Sequence, residues 1–494
     1  MTKIKNTQPN QPLRVAVIGG GVAGSTIALR LATAGVETFL LEQNASLINS
    51  PPMCHLHAGG NLYREIPLED CKTLLRQCID IARLYPDSID VRPTVITVPK
   101  RDHGNASDLL PRLAALTAYY AELVAQDSRN AVLGAPEHYY RLYNHDDLAR
   151  LAEQPPPATA EDAHVTDDWL TAFVHVVDWS KLQMPVVAVQ EYGWNIFRLA
   201  ASAELQLAQL PNAHVWTNTK VYGLQMQHNA DGTPAGWTID YQTAEQDSAQ
   251  LTVDFVVNAC GFRTGMLDDM AGIHAKRMVE FKASYISHWQ PHMALPEIIF
   301  HGERGTPQGM AQFTPYTHGY VQLHGMTPNI TLFENGLTHS TADSAQPPVA
   351  AEHVRYIEQG WDKAVLQTRT ESAIEYVSEF IPKFAHAEPV DNALYGAQQV
   401  PSDDISQRVA DCQIFADKRY AIAENIKANS TLDVADLIIE ALITQNLLDA
   451  QYRVHPQWQR LNAQAVEARA IELAKQRHYP VDMAKVNHAL VLPE

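Results

Sequence analysis

Gly19, Gly21 and Gly24 stand in the spacing G-x-G-x-x-G, directly after the apolar run Arg14 to Ile18. A helical pattern, Ser25 to Thr33, follows them. Each glycine does something different. Gly19 permits a tight turn, Gly21 lets backbone approach a diphosphate, and Gly24 lets the helix pack close to the strand. The start of the helix, at Val22 and Ala23, offers free N–H groups and the positive end of a dipole to phosphate oxygens. Val36 to Leu41 reads as a second strand, and Glu42 and Gln43 follow it. Glu42 falls about 20 residues past the glycines, where an acid can accept hydrogen bonds from ribose hydroxyls. An acid there disfavours the 2′-phosphate of NADP. G-x-G-x-x-G alone is a weak signal; the strand before it, the helix after it and the strand ending in an acid make it a dinucleotide site.

Four patches carry a resemblance further along. The first is His55-Leu56-His57-Ala58-Gly59-Gly60, within Asn44 to Arg64. The second is Glu191-Tyr192-Gly193, the helix after it, and the segment His214 to Val221. The third is Asp254 to Gly261, ending Ala259-Cys260-Gly261, and the fourth is Arg419 to Leu437. In order and spacing they resemble the D-amino-acid-oxidase-type flavoenzymes, over most of residues 13–448. The resemblance implies FAD as cofactor and flavin dehydrogenation as activity. It puts His57, Ala58 and Gly59 beside diphosphate and flavin, Val221 at the adenine, and Ala259 to Gly261 where the chain returns beside the dinucleotide. It puts Lys427 and Ala428 before a helix that points at the flavin, with Ser430 as the N-cap. Some amine-dehydrogenase members carry His-Ala-Ala-Gly, with the histidine bonded to the flavin; His57-Ala58-Gly59-Gly60 is similar. Three departures stand out. Cys260 replaces an alanine, Glu424 and Asn425 replace glycines, and Gly396-Ala397-Gln398 lacks the arginine of G-x-R-P.

A flavin takes the hydride itself, so the protein supplies position and electrostatics. His57 is the first catalytic candidate, as flavin link or active-site neighbour. Arg64, on the same segment, can pair with an anionic substrate. Tyr316, His318, Tyr320 and His324 lie on the strands that the resemblance sets over the flavin, and His301 lies near them. Residues two apart share a strand face; if Thr317-His318-Gly319 is instead a hairpin turn, His318 is exposed. Gln398 can hydrogen-bond a substrate but cannot form a charged pair. The expected reaction oxidises a C–N or C–O bond of a small polar metabolite: an amino acid, an amine or a 2-hydroxy acid. Electrons then pass to oxygen, a quinone or a carrier. A structural or sensory FAD protein without turnover and an NAD-dependent dehydrogenase are the competing readings. No short histidine–carboxylate spacing points to a metal.

The elements that must hold these residues imply an α/β, two-domain flavoprotein. Residues 13–92, 190–270 and 386–448 are expected to form a Rossmann-like FAD-binding domain. Residues 93–189 and 271–385 form an interleaved, mostly antiparallel substrate domain, and 449–494 a helical extension. Strands are expected at 93–99, Glu280 to Ile286, Ile298 to His301, Met310 to Thr314, Tyr320 to His324, Ile330 to Phe333 and Asn392 to Val400. Helices are expected at Leu109 to Val124, His353 to Phe380 and Gln451 to Arg477. The chain of 494 residues, 46% hydrophobic and 19% charged, suits such a globular protein. A net charge of −19, with no basic patch, excludes nucleic acid as partner. Five cysteines without CxxC spacing point to reduced thiols and a cytoplasmic setting. The polar N-terminus is expected to be no signal peptide, and no segment reads as a membrane span. Peripheral membrane contact and an oligomer stay open.

Overall fold

The computed structural model describes residues 12–49, 55–60, 66–245, 247–291, 293–405 and 407–493. Its first unit is β1 (Arg14–Ile18), α1 (Val22–Thr33) and β2 (Glu37–Leu41). Val15, Ala16 and Val17 are fully buried, as a central parallel strand covered on both faces requires. The sheet runs Cys412–Phe415, Tyr420–Ala423, Phe255–Asn258, β1, β2, Ala213–Trp216. All its pairings are parallel except the one between Cys412–Phe415 and Tyr420–Ala423. The helices Ile196–Ala208 and Thr431–Thr444 pack on α1.

A nine-stranded sheet stands apart from the first in topology. Its strands are Thr94–Thr97, Tyr140–Tyr143, Val186–Val189, Met278–His288, Glu297–Phe300, Ala311–Pro315, Tyr320–Gly325, Leu337–His339 and Glu388–Val400. Only the Thr94–Thr97 and Glu297–Phe300 pair is parallel. Alternation along these strands separates two faces. Val95, Tyr285, Ile298, Phe313 and Leu323 pack into an apolar core with Phe173 of helix Thr166–Val176 and Ile374 of helix Lys363–Ser378. The opposite face is also covered but is polar: Thr94, Glu280, Ser284, Glu297, Gln312 and Gln322 are all buried. Lys220–His228, Pro234–Gln242 and Ser248–Val253 form a smaller antiparallel sheet.

Four expectations need correction. Residues 330–333 form turn and irregular chain; the strand lies at Leu337–His339, paired with Met278–Glu280. Strand Glu388–Val400 begins four residues before the expected Asn392 and pairs along Met278–His288 in the large sheet. Between 451 and 477 the α-helix covers only Ala463–Gln476, because Pro456 breaks the pattern ahead of it. Ser430 stands at the N-cap position of Thr431–Thr444 as expected but makes no side-chain cap bond: its hydroxyl donates to Lys427 O and accepts from Asn425 instead.

Between the two sheets lies a buried ion cluster. Arg277 pairs with Asp268 at 2.6 Å and Glu424 at 3.5 Å. Asn258 and Tyr420 each donate to Asp268 at 2.8 and 2.9 Å. Burial pushes Glu424 from 4.5 up to about 7, with Arg277 opposing. A raised carboxyl favours the folded state when protonated. Its stability contribution is therefore full below pH 4.5 and is lost as pH climbs through about 7. Urea unfolding between pH 5 and pH 8 is expected to show the wild type losing about 1–3 kcal/mol more than Glu424→Gln. Equal pH dependence in the two proteins would refute this role for Glu424.

Candidate active site

The dinucleotide turn is tight on two sides and open on a third. Gly19 has φ +101°, and a Cβ there would lie 2.4 Å from Ala259 O. A Cβ at Gly24 would lie 1.8 Å from Gly19 O. At Gly21 no atom of the described residues lies within 4 Å of an added Cβ. Gly21 heads α1, whose first turn has no acid and no side-chain cap. The N–H groups at Val22 and Ala23 thus face that open side at the positive helix end. Glu42 is nearly buried and accepts from Gly20 N at 2.6 Å and from Asn44 N at 2.7 Å. Burial raises it, against the Asn44 and Gly20 bonds and the charge of Arg263. Gln43 is exposed. Thr219 donates to Glu42 O at 2.8 Å, which brings Val221, half-buried two residues on, to the same end of the sheet. Across the turn, Ala259 is buried, the Cys260 thiol bonds Ile18 O at 3.3 Å, and Gly261 takes φ +57°. Burial raises the Cys260 thiol, so it stays protonated.

The segment 55–60 lies against the polar face of the large sheet at His55. Gly59, at φ +85°, would place a Cβ 2.5 Å from Cys71 O, and Tyr139 donates to Ala58 O at 3.1 Å. His57 Nε2 lies 3.1 Å from Lys427 Nζ, and Asn429 donates to His57 O at 3.1 Å. Ala428 stands beside Lys427 in the 3-10 turn before the helix Thr431–Thr444. Burial, then the charge of Lys427, pushes His57 well below 6.5. His55 stacks edge-on to His57 at 4.6 Å, and its Nδ1 lies 2.5 Å from Glu297 Oε1. Arg92 donates to the other Glu297 oxygen at 2.7 Å, and Gln312 donates to Glu297 as well. Burial alone would raise Glu297; His55 and Arg92 outweigh it and hold the carboxyl at about 2.

Further along the same face, Lys282 donates to Gln398 at 2.9 Å and pairs with Glu280 at 2.7 Å. Arg304 also pairs with Glu280. Burial lowers Lys282, with Glu280 opposing. His324 is held down at about 3 by burial and then by Lys282 and Lys427. Tyr316 donates to Gln322 at 3.0 Å and so joins the rim of this face.

The structure brings His57, Lys427 and Tyr316 together on one polar region and leaves His318 outside it. His318 sits in the turn Thr317–Gly319 at φ +56°, its side chain 60% exposed and 3.3 Å from Asp482. The turn alternative applies, since the chain reverses there into antiparallel register. Arg64 lies outside the described residues. Sequence reasoning missed His55, Arg92, Lys282 and Glu297. The signal was present: Glu280-x-Lys282-x-Ser284 and Gln312-x-Thr314 repeat polar residues at period two where an apolar inward face is the norm. Among the described residues no group of three His, Cys, Asp or Glu could hold a metal ion.

A family model described as "FAD dependent oxidoreductase" (DAO) matches residues 14–404. The chain belongs to this family. As a DAO-family member it is an FAD-dependent oxidoreductase with FAD as cofactor. A search of curated proteins finds no match. L-proline dehydrogenase from P. horikoshii superposes with TM-score 0.55 at 13% identity, covering 90% of this chain and 96% of the other. Glycerol-3-phosphate dehydrogenase from Bacillus halodurans, complexed with FAD, gives 0.54 at 13%, covering 96% and 74%. L-amino acid deaminase from Proteus myxofaciens, in complex with anthranilate, gives 0.55 at 12%, covering 91% and 94%. These likenesses establish the fold.

The chain's own geometry fits FAD. The space beside Gly21 is open, and His57 Nδ1 and Asn425 Oδ1 are buried with no hydrogen-bond partner among the described residues. Gly19, Gly21, Val22, Ala23, Gly24, Glu42 and the 57–59 and 259–261 segments could hold it. Gly21→Val is expected to fold with urea stability within about 1 kcal/mol of the flavin-free wild type yet purify without flavin absorbance. Gly24→Val is expected to lose about 3 kcal/mol or more through its clash with Gly19 O. Flavin retained by Gly21→Val would remove the diphosphate from this turn.

Proposed function

We propose that this FAD-dependent oxidoreductase oxidises a C–N or C–O bond of a small polar metabolite, and that the substrate is an amino or 2-hydroxy acid bearing a carboxylate. The observation that carries this reading is the covered polar sheet face with Lys282 and Gln398 side by side, beside His324 and His57. Such a surface suits a small, charged, partly desolvated ligand and not a long apolar one. The names of the structural neighbours lend support: two act on amino acids and one on a phosphorylated alcohol.

FAD, when bound, accepts the hydride. The chain's residues supply the rest. Lys282 offers an ammonium to the carboxylate, in place of the arginine that the neighbouring strand Glu388–Val400 lacks, with Gln398 as a second donor. His324 and His57 are neutral at pH 7, because both are held below 6.5. A neutral imidazole can accept a hydrogen bond from a substrate hydroxyl or ammonium, and His324 is assigned that orienting role. Lys427 donates to His57 Nε2 at 3.1 Å, which leaves Nδ1 carrying the ring proton as a donor into the site. Arg92, Glu297 and His55 brace the 55–60 segment.

Anaerobic mixing with a panel of amino acids, amines and 2-hydroxy acids is expected to bleach the flavin band with at least one carboxylate-bearing member. Lys282→Met is expected to raise KM for that substrate ten- to hundredfold, the loss of one charge-assisted hydrogen bond of about 1.5–3 kcal/mol. A panel that leaves the flavin oxidised throughout would overturn the reading in favour of a structural or sensory FAD.

A further inference from the structure

The family match ends at residue 404, and the chain beyond it returns to the dinucleotide turn. Arg477 follows the helix Ala463–Gln476. Its guanidinium is directed at residues 46–48: Nη2 donates to Leu47 O at 2.6 Å and Ser46 Oγ at 3.0 Å, Nη1 to Ile48 O at 3.0 Å, and Nε to Ser46 Oγ at 3.3 Å. Arg469, on the same helix, acts one step removed. It pairs with Glu204 at 2.8 Å, and Glu204 accepts from Leu47 N at 3.3 Å.

What those residues hold gives the contact its meaning. Ile48 has φ +54° and is 1% exposed. A β-branched residue in the left-handed region is strained, and persists only where its surroundings enforce it. Ile48 donates its N–H to Gly20 O at 2.8 Å. Leu47 is fully buried, and its Cδ2 would lie 2.7 Å from a Cβ at Gly20. On the other side of Gly20, the N–H is taken by Glu42. The Ser25 hydroxyl also donates to Gly20 O, at 3.1 Å. The residue between Gly19 and Gly21 is thus gripped at both its backbone polar groups, and the shorter of the two grips on its carbonyl comes from a strained residue fastened by Arg477.

We propose that Arg477 is a positioning residue for the cofactor: it holds Ile48 in the left-handed conformation and thereby fixes the Gly20 carbonyl, which sets the shape of the diphosphate turn. The tail has a separate attachment, the Tyr479 hydroxyl on Ala393 O, which leaves the turn untouched and serves as a control.

The test is FAD affinity of the full-length protein, read by titrating the flavin-free form, alongside its urea stability. Arg477→Met is expected to weaken FAD binding at least tenfold, and Arg477→Lys to recover part of the loss. Tyr479→Phe is expected to stay within twofold of wild type. Glycine adopts φ +54° without strain. In an Ile48→Gly background, Arg477→Met should therefore weaken FAD binding less than threefold. Unchanged affinity in Arg477→Met, or an equal loss in both backgrounds, would overturn the proposal and leave Arg477 a general strut. Should Arg477→Met alone fail to fold, recovery of folding and binding in the Ile48→Gly background supports it, and failure to recover sinks it.

Discussion

The Gly24 backbone and the Gly19 carbonyl approach so closely that a methyl group cannot stand between them. Much of the first sheet's geometry follows from that contact. It brings the first turn of α1 against the end of β1, so the helix dipole and the free N–H groups emerge where the strand stops. It also brings Ala259, at the end of the neighbouring strand, against Gly19. A side chain at either glycine would tilt the helix and misdirect the donors. The specificity of the turn lies in what is missing from its residues, with Glu42 and the 46–48 segment holding its middle.

The large sheet solves a different problem. One face buries aromatic and aliphatic side chains in the ordinary way. The other buries ions, which is unfavourable unless each is paired. The pairs are present: Glu297 with His55 and Arg92, Glu280 with Lys282 and Arg304. Paired ions hold their partners' geometry more firmly than apolar contacts do, because direction as well as distance is fixed. Two histidines kept neutral beside cations are the chemical product of this arrangement. No helix among the described residues is long and apolar enough to cross a membrane.

Much of this was legible in the sequence. The glycines, β1, α1 and Glu42 carry local rules, since each constraint acts within a few residues. Six of the nine strands of the large sheet could be read from alternation, but not Tyr140–Tyr143, Val186–Val189 or Leu337–His339; the turn at His318 was open as an alternative from its Thr-His-Gly composition. The His55–Glu297 contact could not, because 242 positions separate the partners and no local rule joins them. Lys282 was hidden for another reason: polar residues at inward positions look like a solvent face until a second domain is known to cover them. Ile48 gave no sign at all, because a left-handed isoleucine contradicts its own propensity and owes its conformation to an arginine far along the chain.

The order of strands in the six-stranded sheet bears on how the protein is made. β1 has β2 on one side, but its other neighbour is Phe255–Asn258, and that strand in turn waits for Tyr420–Ala423. A nascent chain leaving the ribosome therefore carries the apolar edge Val15 to Ile18 unmatched through more than two hundred residues of synthesis. Such an edge is a template for pairing with other chains, and the long separations slow closure. Chaperone dependence and aggregation of N-terminal fragments are the expected cellular cost of a site whose walls come from opposite ends of the polypeptide.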